Sequence, residues 1–357
     1  MCSFCARAAC SGGPECWVSH VNSPVDPARL SISVPAAAPV RTRLKGLVEI
    51  STEHRVVLAL AFLVIFPWFA PYEALAVNIL VFGLFAVGYN LIYGYTGMLS
   101  FGHAALFGLG AYGAGIPIAK FGWHVLPALG LGILVAGAGA AMIGWFATRT
   151  RGIYFAMVTL AAAQVVYYIA FQWVAMTGGE DGLRGVNVGV VNLLGLHLNL
   201  LDPRTKYYAI LLVVGLALWA FSRILQSPFG AVLEAVRENE RRAAACGYNV
   251  RRVRLLAFTL SGLFSGLAGA LYGIHLSVVP IETLHYFTSA TVLMMTLLGG
   301  MGTFFGPFVG AFTYLLLADV VTVITVHWQL FVGGLFVFLI LFFPRGIWGS
   351  LMHWAER

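Results

Sequence analysis

The stretch Asn90-Leu91-Ile92-Tyr93-Gly94-Tyr95-Thr96-Gly97-Met98-Leu99-Ser100-Phe101-Gly102-His103-Ala104 decides the fold. It lies inside an uncharged interval of 46 residues, 74 to 119. A run of that length belongs in a membrane, because about 20 apolar residues already cross one. Yet it holds Gly94, Gly97 and Gly102, which weaken a helix, and Thr96 and Ser100, whose hydroxyls compete for backbone partners. In hydrocarbon an unpaired N–H or C=O costs several kcal/mol, so irregular backbone survives there only inside protein or along a cavity. The stretch therefore reads as the hinge and solute pathway of a transport protein, carried by Gly94, Tyr95, Thr96, Gly97, Ser100, Gly102 and His103.

The chain around it is 60% hydrophobic and 10% charged. A soluble domain carries about 25% charged residues, so this is a polytopic membrane protein. The net charge of +7 does not point to nucleic acid, because the basic residues sit between apolar spans rather than on a folded face. Cys2, Cys5, Cys10, Cys16 and Cys246 do not form a disulfide framework. The first four have no histidine nearer than His20 and no second Cys-x2-Cys, so no metal site and no cofactor are expected.

Charge-free intervals count the spans, since Asp, Lys or Arg at a helix centre costs about 2.5–3.5 kcal/mol. They run over 56–72, 74–119, 121–148, 152–179, 207–222, 255–281, 283–318 and 320–344. Two are long enough for two crossings each, which predicts an all-α membrane protein of about ten transmembrane helices. Residues 1–52 lack any apolar period and read as a disordered arm. The apolar run 56–69 reads as a first crossing rather than a signal peptide, and 53–348 form the membrane domain. Seventeen Lys and Arg fall on one side, in the arm, at 149–151, in 223–254 and in the tail 349–357 with Arg345; four fall on the other. That places both termini in the cytoplasm and 178–204 in a periplasmic loop.

A second glycine-rich break, Leu298-Gly299-Gly300-Met301-Gly302-Thr303-Phe304-Phe305-Gly306-Pro307, lies late in the chain. Two interrupted segments, one early and one late, point to inverted repeats with a path between them, to which Gly299, Gly300, Gly302, Thr303 and Gly306 contribute. Tight helix packing is the plainer use of such glycines. Ser261, Ser265, Gly262, Gly266 and Gly269 likewise read as helix-packing sequence.

The segment 223–254 is the only sizeable charged stretch inside the spanning region. Phe229 to Tyr248 is strong helix-former sequence ended by Gly247, with Val232, Val236 and Ala243 among charges. Too polar for lipid and too small for a domain, it requires a protein partner or is an ordinary solvated helix. The spans hold no carboxylate relay and the chain has no G-x-x-x-x-G-K-[ST] loop, so energy for active transport comes from another subunit. A membrane enzyme would need convergent nucleophiles, acids or ligands, and none is visible.

Gly94 to Ala104, Arg237-Glu238-Asn239-Glu240 through Ala244 and Gly247-Tyr248, Gly299 to Thr303 with Gly306-Pro307, and Phe342-Phe343-Pro344-Arg345-Gly346 occur in order over 55–348. Together they resemble the permease subunits of bacterial branched-chain amino-acid ABC importers, LivM type, of the hydrophobic amino-acid uptake family. The resemblance implies an inner-membrane importer subunit that is not itself an enzyme. It would work beside a second, similar permease, two cytoplasmic ATP-binding subunits and a periplasmic substrate-binding protein. On that view 223–254 is the coupling helix docking on an ATPase through Glu234, Arg237, Glu238, Glu240, Arg241, Ala244 and Gly247. The usual importer E-A-A-x3-G signature is replaced here by Arg241-Arg242-Ala243-Ala244-Ala245-Cys246-Gly247. The alternatives are a permease of the same family carrying urea, amides or aromatic acids, and an ATP-independent channel or facilitator.

Overall fold

A computed structural model describes residues 72–186, 189–193, 196–199, 202–324 and 346–355, with isolated positions elsewhere. Residues 1–57, with the four clustered cysteines, lie outside the described residues, as do most of the expected crossing at 56–69 and most of 325–345.

The described residues are mostly helical, and seven helices are long and apolar enough to cross a membrane. They are α1 (Glu73–Thr96), α2 (His103–Phe121), α3 (Val125–Ala147), α4 (Ile153–Gln172), α6 (Pro203–Gln226), α9 (Val250–Leu276) and α11 (Gly306–Ile324). Between them come α5 (Val174–Thr177), α7 (Pro228–Glu238), α8 (Glu240–Ala245) and α10 (Tyr286–Gly299), and α12 (Gly346–Ala355) follows. α10 has 14 residues, about 21 Å of helix, short of a hydrocarbon core about 30 Å thick.

α1 is apolar all round, and Leu80, Val81, Leu84, Phe85 and Val87 have no exposure. It is therefore the interior helix of the bundle. Without a hydrophobic drive between helices in lipid, packing rests on close backbone approach. α9 supplies it: a Cβ on Gly269 would stand 1.8 Å from the Phe107 oxygen of α2, and one on Gly262 would meet Ala140 of α3 at 2.2 Å. α3, α4, α6 and α11 form the outside, with Leu134, Met157, Leu212 and Val320 exposed.

The glycine-rich breaks lie between antiparallel helices rather than inside one crossing. Gly97 ends α1 at φ 72, in the left-handed region. The chain then returns so that the Phe107 ring lies 4.6 Å from Phe85 and the His103 ring 4.8 Å from Tyr89. The second break, 300–305, joins α10 to α11 in the same way. Tyr72, just before α1, hydrogen-bonds Asp319 late in α11, so α11 runs against α1 and both breaks fall at the same end of the bundle.

Two further expectations change. The helix foreseen from Phe229 to Tyr248 is two helices, because Asn239 is extended (φ −159°) and its side chain caps α8 by accepting from the Arg242 N–H. The loop 178–204 carries strands: β1 (Leu183–Arg184) pairs antiparallel with β4 (Val278–Val279), and β2 (Val190–Leu193) with β3 (Leu196–Asn199). After β4 the chain continues through a 3-10 turn at Ile281–Leu284 before α10.

Candidate functional site

The site is the place where the two breaks meet. Asn90, one turn before Gly94 on α1, accepts from the Gly302 N–H at 3.0 Å and donates to the Thr303 oxygen at 2.9 Å. One amide thus satisfies both kinds of main-chain group that a non-helical stretch leaves open. The approach is close, since a Cβ on Gly94 would stand 2.5 Å from the Gly302 nitrogen. Arg237, from α7, donates to the Gly94 oxygen, and the same guanidinium nitrogen would lie 2.8 Å from a Cβ on Gly302. α12 closes the group, with Gly346 against Gly300 and Trp348 beside Phe305.

The rest of the first break is held by buried side chains. The Tyr89 hydroxyl donates to the Ser100 oxygen at 3.0 Å, and Thr159 of α4 accepts from the Phe101 N–H at 3.3 Å. His103 opens α2 with no exposure, its ring nitrogens 3.0 Å and 2.9 Å from the hydroxyls of Ser100 and Ser261. Ser261 spends its single proton on the Gly88 oxygen at 2.6 Å. Nε2 of His103 is therefore the donor to Ser261, and Nδ1 accepts from Ser100. The Ala104 N–H, unpaired within its own helix, donates to Ser289 of α10 at 2.7 Å. Five helices, α1, α2, α4, α9 and α10, converge on these few atoms.

The coupling residues foreseen from sequence divide in two. Glu234, Glu238, Arg241, Ala244 and Gly247 are exposed, whereas Leu233, Val236 and Ala243 seat the two helices on the bundle. Arg237 is exposed as well but extends to the Gly94 oxygen, and the half-buried Glu240 turns toward the bundle. Glu240 pairs with Arg151, in the α3–α4 turn, at 3.3 Å and with the buried Arg254 of α9 at 3.4 Å. Arg254 also lies 2.9 Å from the Met98 sulfur in the first break.

Of the residues expected to form the pathway, Gly94, Gly302 and Thr303 come together, with Gly299, Gly300 and Gly306 just behind them. Tyr95 and Thr96 are buried in the last turn of α1, and Gly97 is exposed. Ser100, Gly102 and His103 belong to the buried network. Asn90, Tyr89, Thr159, Ser261, Ser289 and Arg254 were not foreseen. The signal for Asn90 is an amide side chain in an uncharged span, one of two with Asn78, since hydrocarbon does not tolerate such a group unpaired.

The family described as "Branched-chain amino acid transport system / permease component" matches residues 72–341. The chain belongs to this permease family. The permease is 29% identical over 293 residues to the high-affinity branched-chain amino acid transport system permease protein LivM of Escherichia coli, covering 75% of this chain and 68% of that one. Its counterpart in Salmonella typhimurium is 28% identical, with 76% and 69% covered. The autoinducer 2 import system permease protein LsrC of an Enterobacter species is 33% identical over 135 residues, 36% of this chain and 38% of its own. No solved structure matches the permease. It is thus a membrane-spanning ABC transporter permease subunit.

Proposed function

We propose that the permease imports branched-chain or related amino acids across the bacterial inner membrane by alternating access, driven by ATP hydrolysed on partner subunits. Its partners are a second, similar permease, two cytoplasmic ATP-binding subunits and a periplasmic substrate-binding protein. The concentration of Lys and Arg supports placing the end with α7, α8 and both termini in the cytoplasm, with ten crossings in all. The observation that carries the reading is Arg237: it joins a helix pair with an exposed charged face to the contact between the two breaks. ATPase closure would push α7 and α8, and this joint would part as the helices move as rigid bodies.

A second reading concerns cargo. Relatives named for autoinducer 2 import and for guanosine transport, the latter the Bacillus subtilis protein NupQ at 32% identity over 79 residues, favour a permease of the same family with another solute. Reconstitution of the permease with the ATPases and binding protein encoded beside it tests both. ATP-dependent uptake of leucine supports the first reading, and ATP-dependent uptake of another solute alone supports the second. Uptake that ignores ATP contradicts both and favours a facilitator.

A further inference from the structure

α9 does not lead into a simple turn. It ends at Ser277, φ 59, the one non-glycine residue with positive φ among the described residues. The chain then runs down along α2. Val279 packs beside Gly115 and takes a hydrogen bond from the Tyr112 hydroxyl at 3.4 Å, and the Leu284 Cα would stand 3.3 Å from a Cβ on Gly108. Gly108 is about 20 Å of helix from the end of α2 at Phe121. Pairing of β1 with β4, and the Val186 N–H donating to the Ser277 oxygen at 3.3 Å, hold the segment there.

Glu282 is in the middle of this descent, beside a helix that crosses the membrane. Its side chain is open on the surface of the chain, within electrostatic reach of Tyr112 and Tyr272, and it forms no ion pair among the described residues. Ionisable groups at such depth are costly and are kept where they meet a pathway or a partner charge. One turn on, the His285 ring lies 4.4 Å from Tyr286, 5.1 Å from Phe287 and 5.6 Å from Tyr167 of α4. Tyr286 and Phe287 are exposed. An anion followed by open aromatic faces suits an ammonium group carried on an apolar body.

We propose that Glu282 receives the ammonium group of an amino-acid solute on its way through the membrane, with the ring wall of His285, Tyr286 and Phe287 meeting the apolar side chain. This rests on the importer reading above. The test uses the whole complex in proteoliposomes. Glu282→Gln should lower ATP-driven leucine uptake at least tenfold, with binding-protein-stimulated ATP hydrolysis within about twofold of the parent, and Glu282→Asp should keep most of the uptake. In a background with the five native cysteines replaced, Glu282→Cys should be inactive. It should recover when a sulfonatoethyl thiosulfonate restores a negative charge, and not when a trimethylammonium reagent adds a positive one. Normal uptake by Glu282→Gln, equal rescue by both reagents, or loss of the second permease from the purified Glu282→Gln complex would each overturn the assignment. Failure of the importer reading itself would show separately, as a parent complex without ATP-driven leucine uptake.

Discussion

Arg237 of α7 donates a hydrogen bond to the main-chain oxygen of Gly94 at the end of α1. A cation on a short outer helix is thereby fastened to the point where the interior helix of the bundle stops. Anything that displaces α7 must either carry that point along or break a charge-assisted bond.

Replacing Arg237 by Gln should therefore uncouple rather than unfold. Bonds to charged groups contribute about 1.5–3 kcal/mol, and the site is half open to solvent, which favours the lower figure. Uptake should fall at least tenfold while the complex still purifies intact and its ATPases still turn over. Parallel uptake and hydrolysis assays check this.

Asn90 carries more of the stability. Asn90→Leu strands the Gly302 N–H and the Thr303 oxygen, each at about 1–3 kcal/mol. Asn90→Asp, neutral at a position with no exposure, keeps the acceptor and offers an O–H in place of the N–H, so its loss should be smaller. Thermal unfolding of the detergent-purified subunit should rank parent above Asn90→Asp above Asn90→Leu.

Two glycines of the same break should respond differently. At Gly97 a Cβ meets nothing nearer than the Arg237 Cγ at 3.5 Å, so Gly97→Ala costs only the left-handed backbone, about 1–2 kcal/mol. At Gly102 a Cβ would stand 2.5 Å from the Thr159 oxygen, which is main chain and cannot give way. Gly97→Ala should assemble with altered uptake, and Gly102→Ala should assemble poorly, as measured by the yield of monodisperse complex.

On the outer face, Arg241→Glu reverses a charge that forms no ion pair within the described residues, so it should weaken ATPase association without changing thermal stability. Glu240→Gln differs, because it leaves the buried Arg254 guanidinium without its counter-ion. A cost of about 1–3 kcal/mol is expected, and charge-neutral Glu240→Gln with Arg254→Met should recover part of it. Co-purification and unfolding midpoints separate the two effects.

The crossings of α1, α2 and α9 are legible in the sequence because membrane insertion penalises every charge, so uncharged intervals mark spans directly. The breaks are legible because Gly94, Gly97 and Gly102 sit where a helix should continue. Their meeting is not, since Asn90 and Gly302 are separated by 212 positions and no local period links them. The bend at Asn239 could have been read from an N-cap residue followed by Glu240 in the first turn, but the helix formers on either side masked it. In the sequence Glu282 marks only the break between the intervals 255–281 and 283–318, and its place along α2 depends on the pairing of β1 with β4.

The two breaks are closed on each other, and we expect them to part when α7 and α8 move. Spin labels at Leu99 and Met301, in a cysteine-free complex reconstituted in lipid, measure that contact through the distance between them. Trapping the ATPases with ATP and vanadate should lengthen the distance by several ångströms relative to the nucleotide-free complex. Identical distance distributions in the two states would contradict the account.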